Sequence, residues 1–162
     1  MTRMQIAVIG AGACSDDERN AAYTIGRIIA GNKAVLICGG MGGVMEAACK
    51  GAQEHGGTTV GLVPDTGNGN LYLGIVIRTG MGHARNVLVV QSADAVIAVG
   101  GKEGTLSEIA HALKMGRPVF AFRSWDIPGV EACPTPEAAA FRALAAAGRK
   151  GPVEPGWEAA DR

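Results

Sequence analysis

Apolar residues in this chain gather into short continuous runs that end in glycine, and between the runs they spread out at helical spacing. Residues 4–10 (MQIAVIG), 33–39 (KAVLICG), 58–64 (TTVGLVP), 74–80 (GIVIRTG), 94–100 (DAVIAVG) and 117–123 (RPVFAFR) read as strands. The intervening stretches 16–31, 44–56, 81–93, 104–116 and 135–148 read as helices, the third weakened by its valine-rich end. Ser15 precedes Glu18 at capping-box spacing, and Ile25, Ile28 and Ile29 give the first helix one apolar face. Pro136 stands in the first turn of the last helix, with Gly148 at its end. Strand follows helix throughout, and several strands are apolar on both sides, as a parallel sheet covered on both faces requires. The pattern predicts a single-domain, doubly wound α/β fold over residues 1–148, followed by an extended tail over 149–162 without periodicity. In such folds ligands bind beyond the carboxyl ends of the strands.

Composition narrows the picture. The 162 residues carry 15 basic and 15 acidic side chains, so the net charge is zero, and no basic run exceeds Arg149-Lys150. That balance argues against a nucleic-acid partner. Cys14, Cys38, Cys49 and Cys133 form no CxxC pair, which fits reduced thiols in a cytoplasmic protein better than a disulfide framework or a zinc site. The first apolar run is too short to span a membrane and is broken by glycines, so no membrane partner is expected.

Three of the 25 glycines' clusters fall at strand ends. The first, GAGACS (residues 10–15), places Gly12 after the first strand but has Ser15 where a dinucleotide fingerprint has its third glycine. No acid closes the second strand, which argues against NAD. The second, CGGMGG (residues 38–43), brings Gly39, Gly40, Gly42 and Gly43 before a helix. It serves either as an anion cradle or as close helix-sheet packing. The third, GGKEGTLSE (residues 100–108), contains Gly101, Lys102, Gly104 and Thr105. It is not a P-loop, because GxxxxGK[ST] is absent from the chain.

Thr105 and Glu108 have T-x-x-E spacing, so Glu108 either caps a helix or does chemistry. His83 and Arg85 lie after TGMG (residues 79–82), where Thr79 and Gly80 also face the strand ends and Arg85 is suited to a phosphate. Glu108 and His111 share a helix face, but without a second such pair they make a poor metal site. No GxSxG motif supports a serine hydrolase.

Taken in order, the second glycine loop, TGMGHARN, SADAVIAVGG and KEGTLSE resemble the LOG-like group, once labelled lysine decarboxylases. The likeness is nearest to the branch that holds the molybdenum-cofactor carrier proteins, and it runs from about residue 4 to 122. The family pattern of an arginine, an A-D before a strand and P-G-G-x-G-T-x-x-E is matched by Arg85, Asp94 and residues 100–108. Gly100 stands in place of the proline, Lys102 in place of a glycine, and Asn86 in place of the lysine that often follows the arginine. Lys102 either adds charge to the cradle or crowds it.

The resemblance implies a Rossmann-like fold, a homodimer and a nucleotide-phosphate pocket. It further implies that Arg85 and Glu108 form the catalytic pair of a nucleoside 5′-monophosphate phosphoribohydrolase. Phosphate would be held by Gly101, Gly104 and Thr105, beside Gly39, Gly40, Gly42 and Gly43. That chemistry, in which a carboxylate stabilises an oxocarbenium-like ribose, requires no metal and no redox cofactor. The carrier-like wording around Arg85 implies the other reading, a non-catalytic carrier or sensor of a nucleotide-like or molybdenum-cofactor-type ligand. A purely structural oligomer is the third reading, and it leaves the convergence of three glycine loops unexplained.

Overall fold

The computed structural model describes residues 2–149, so the expected tail lies, from residue 150 onward, outside the described residues. The chain runs β1 (Gln5–Gly10), α1 (Asp16–Gly31), β2 (Val35–Cys38), α2 (Val44–Gln53), β3 (Thr58–Val63), β4 (Ile75–Arg78), a 3-10 turn (Gly82–Ala84), α3 (Arg85–Gln91), β5 (Ala95–Val99), α4 (Glu103–Lys114), β6 (Val119–Phe122), β7 (Val130–Ala132) and α5 (Pro136–Gly148). The strands form one seven-stranded sheet in the order β4-β3-β2-β1-β5-β6-β7, and every neighbouring pair is parallel. This is the Rossmann-like, doubly wound α/β sheet that the hydrophobic pattern predicts.

Period-two alternation along the central strands divides the core between the two faces. Ile6 and Val8 of β1, with Ile97 and Val99 of β5, pack against the apolar stripes of α1, α2 and α5. Ala7 and Ile9, with Val96 and Ala98, pack against Val89 and Val90 of α3 and Ile109 and Ala112 of α4. On the first face α1 and α2 approach to backbone distance. A Cβ on Gly26 would overlap the Ala48 carbonyl, and one on Gly51 would overlap the Tyr23 carbonyl.

Helix α1 begins with the predicted capping box, in which Ser15 Oγ accepts from the Glu18 N–H and the Glu18 carboxylate accepts from the Ser15 N–H. Two elements differ from the sequence reading. The helix expected over 81–93 is a 3-10 turn followed by α3, because Gly82 takes φ +57 and interrupts helical geometry. The short edge strand β7, paired to β6 with Val119 opposite Val130, has no apolar run to announce it.

All four cysteines are free, with the buried Cys38 and Cys49 sulfurs 3.5 Å apart. Asp94 accepts the Gln5 N–H at 2.8 Å, at the amino-terminal ends of β1 and β5. It therefore braces the sheet at the end away from the glycine loops. Among the described residues no helix is long and apolar enough to cross a membrane.

Candidate functional site

From β1 the chain crosses to β2 on one side of the sheet, whereas β5 lies on the other side. The loops after β1 and β5 therefore part, and a crevice forms at this switch point. It is a cavity of about 410 Å3, bounded by residues 10–13 after β1 and by Lys102, Gly104, Thr105 and Glu108 of α4. Met41 and Met45 close one side, and His83, Arg85 and Asn86 close another.

The first turn of α4 brings unpaired backbone N–H groups to this cavity. The helix starts earlier than T-x-x-E spacing suggests: the Leu106 N–H already bonds the Lys102 carbonyl at 2.9 Å, and Lys102 is the N-cap residue. Thr105 thus sits inside the first turn, and its side chain caps nothing. Glu108 lies in the second turn and is only 7% exposed. The capping reading of Glu108 is therefore excluded by helix register.

Backbone geometry also accounts for the departures from the family pattern. Gly100 has φ +54 and Gly101 has φ +102, the first of which no proline can adopt. Lys102 takes φ −120, extended backbone open to any residue. It does not crowd the loop; its side chain is exposed and its residue lines the cavity. Gly101 is required for contact as well as for conformation, since a Cβ there would overlap the Thr105 side chain.

Arg85 opens α3 and is 7% exposed, a costly place for a permanent charge. Its guanidinium donates through Nη1 to the Asn86 side-chain amide oxygen, Oδ1, and through Nη2 to the Gly39 backbone carbonyl at 3.3 Å. Its Nε finds no hydrogen-bond partner among the described residues. Asn86 in turn donates to Ser107 Oγ at 3.5 Å, and Ser107 donates to the Gly104 carbonyl at 2.7 Å. A polar chain thus ties the arginine on α3 to the first turn of α4. Asn86, which the sequence reading noted only as a departure, is the residue that orients Arg85; its adjacency to the arginine was the available signal.

Glu108 lines the same cavity, and its carboxyl forms no side-chain hydrogen bond among the described residues. Burial pushes its carboxyl up to about 8, and the positive charge of Arg85 acts in the opposite direction without prevailing. Burial therefore favours the neutral, proton-carrying form of Glu108.

The structure thus brings together Gly12, Arg85, Lys102, Gly104, Thr105 and Glu108. Gly12 and Gly104 leave open space where a Cβ would stand. The glycines of the second loop are otherwise engaged. Gly39 is pressed against the Arg85 guanidinium, Gly40 against Val63, and Gly43 against the Ala11 and Gly12 backbone. Gly42 lines a neighbouring cavity of about 300 Å3 with Met41, Glu46, Asp65 and Asn70. Thr79 donates to the Val63 carbonyl at 2.8 Å and, like Gly80, lies outside the lining of the switch-point cavity.

The SLOG cluster4 family matches residues 3–145. An uncharacterized protein of Archaeoglobus fulgidus is 49% identical over 141 residues, which is 86% of this chain and 93% of that one. The molybdenum cofactor binding protein of Rippkaea orientalis superposes with a TM-score of 0.85 at 35% identity, over 90% of this chain and 98% of its own. The molybdenum cofactor carrier protein of Chlamydomonas reinhardtii gives 0.83 at 33% identity, over 91% and 100%.

Proposed function

The chain belongs to the SLOG cluster4 family, and on that footing we propose that it binds and carries a phosphate-bearing, nucleotide-like small molecule, foremost a pterin phosphate of the molybdenum-cofactor type. One observation carries this reading. A buried arginine, held by its own asparagine, lines a switch-point cavity that also meets the first turn of α4 and Lys102. Arginine, lysine and helix-start N–H groups together form an environment for an anion. A volume of about 410 Å3 suits a nucleoside monophosphate or a phosphorylated pterin. Support also comes from the two solved structures, similar over nine-tenths of this chain, that are named for binding or carrying the molybdenum cofactor.

The test is calorimetry with AMP, GMP and molybdenum cofactor released from a molybdoenzyme. Arg85→Met, which keeps much of the packing, should weaken binding roughly 30- to 100-fold, the cost of losing a charge-assisted contact of about 2–3 kcal/mol. Equal affinity in this variant would sink the reading. The homodimer implied by the resemblance belongs to the same proposal, and sedimentation of the full chain measures it.

A second reading, phosphoribohydrolase activity, is favoured by Arg85 and Glu108 lining one cavity. The protonation of Glu108 weighs against it. Stabilising an oxocarbenium ion or activating water requires the ionised carboxylate, which this burial disfavours at neutral pH. Release of free base from nucleoside 5′-monophosphates, measured at pH 7 and pH 9, separates the two. The carrier releases none at either pH; a hydrolase would release more at pH 9.

A further inference from the structure

Glu108 is the one acidic side chain that lines the cavity among the described residues, and the anion-binding reading leaves it without work. Its placement makes it an odd neighbour for a phosphate. Glu108 is buried as a residue, yet its side chain lines the cavity and has no hydrogen-bond partner among the described residues. It shares the cavity lining with Arg85, Lys102 and the first turn of α4. An ionised carboxylate there would repel the very group that those cations attract. A carboxylic acid instead presents an O–H to an acceptor oxygen.

We propose that Glu108 serves the site as a proton-carrying donor, so that the cavity takes up a phosphomonoester dianion together with one proton, the O–H of Glu108 bonding a phosphate oxygen. This rests on the anion-binding reading above and specifies its ligand class and its regulation. The proton balance is simple. Below the pH at which the empty site releases the Glu108 proton, the proton is already present and binding exchanges none. Above it, an ionised Glu108 must recapture a proton from solvent before the dianion can enter, because two anions at hydrogen-bonding distance cannot both stay charged. The site therefore loads at neutral pH and empties in alkali.

Other charged groups around the cavity do not produce the same signature. From the 3-10 turn comes His83, exposed at the rim; from α3 comes Arg85, which stays cationic throughout. From the α4 cap comes Lys102, exposed, and on α4 itself lie Glu103 in the first turn and His111 one turn past Glu108. Glu18 of α1 reaches beneath Gly100 and is tied into the Ser15 capping box. Of all these, only Arg85 exerts a resolved electrostatic effect on Glu108.

The experiment is calorimetric titration of the full chain with AMP from pH 6.5 to 9.5, repeated in two buffers of different ionisation heat. Over the upper part of this range the AMP phosphate is a dianion. The wild type should show affinity that is flat to about pH 8 and then falls by up to tenfold per pH unit, with uptake of close to one proton at pH 9. Glu108→Gln, a permanent neutral donor, should lose both the slope and the proton uptake and bind roughly 30-fold more tightly than wild type at pH 9.5. Glu108→Leu, which has no donor, should also lose the slope but bind more weakly than Glu108→Gln at every pH. The same slope in wild type and Glu108→Gln would assign the pH dependence to another group and overturn the proposal while leaving the anion reading intact. Absence of binding by all three proteins at every pH would overturn both.

Discussion

The second and third glycine loops are alike in composition, and alike where Gly100 and Gly101 pack against Glu18 and Thr105, but they differ in use at Gly104. Both lie between a buried parallel strand and a helix, and both look like anion cradles. In the second, Gly39, Gly40 and Gly43 are glycine because something already occupies the space: the Arg85 guanidinium, Val63 and the Ala11–Gly12 backbone. In the third, Gly104 is glycine beside an opening, with nothing within 4 Å of its missing Cβ. The second loop presses the protein together and backs Arg85. The third, with Gly12 across from it, keeps a cavity clear. A glycine-rich turn thus reports close approach without saying whether the approaching atoms are protein or ligand.

That contrast breaks most sharply at Gly43. Its φ of +62 and ψ of −125 belong to a region closed to L side chains, and a Cβ would overlap the Ala11 carbonyl. Gly43→Ala should cost about 4–5 kcal/mol of stability, seen as a large fall in denaturation midpoint. A loss below about 1 kcal/mol would mean that this loop is as open as the third.

The next largest effect tests the third loop's side of the contrast, through the residue that its helix buries. The folded protein holds the Glu108 proton up to about pH 8, whereas the unfolded chain releases it near 4.5. The native state therefore binds more protons between those values, and stability falls as pH rises through that window. Stability present below pH 4.5 is lost by the time pH passes 8. Glu108→Gln removes the titration, so at pH 9 it should be more stable than wild type by about 2–4 kcal/mol, with little difference at pH 5. Urea denaturation at the two pH values measures this. A variant less stable than wild type at pH 9 would show that the carboxylate is held by a favourable contact.

How far these features were legible in the sequence follows from the same distinction. The sheet could be read because its central strands are covered on both faces and therefore apolar throughout. The edge strand β7 could not, since Val-Glu-Ala owes its structure to pairing with β6. Family membership was also legible, in the order and spacing of Arg85, Asp94 and residues 100–108, and the SLOG cluster4 match over 3–145 bears it out. The helix read over 104–116 begins one residue earlier, and the capping alternative for Glu108 fails because T-x-x-E is a capping signal only if the preceding backbone is not yet helical; here the Lys102 carbonyl already accepts the first helical bond. Within the candidate site, Arg85 and Glu108 were found through their chemistry. The glycines were over-assigned, because their role depends on what stands opposite, and that is a tertiary fact. Asn86 went unassigned although it directly follows Arg85, because that adjacency alone does not say that the amide orients its neighbour.

The smallest effect is the most discriminating, because it should show opposite signs in two measurements. Gly104 lies in the first turn of α4 with no left-handed backbone and open space at its Cβ position. Alanine there restricts the unfolded chain and favours the helix, so Gly104→Ala should raise stability by about 0.5–1 kcal/mol. The new methyl group projects beside the cavity that Gly104 lines, so affinity for AMP should fall a few-fold. Packing glycines cannot behave this way; at Gly43 a methyl group costs stability first, and any loss of binding follows from that. If Gly104→Ala is destabilised, the third loop is a packing loop like the second. If it is stabilised and binds AMP as tightly as wild type, the ligand lies elsewhere than against the first turn of α4.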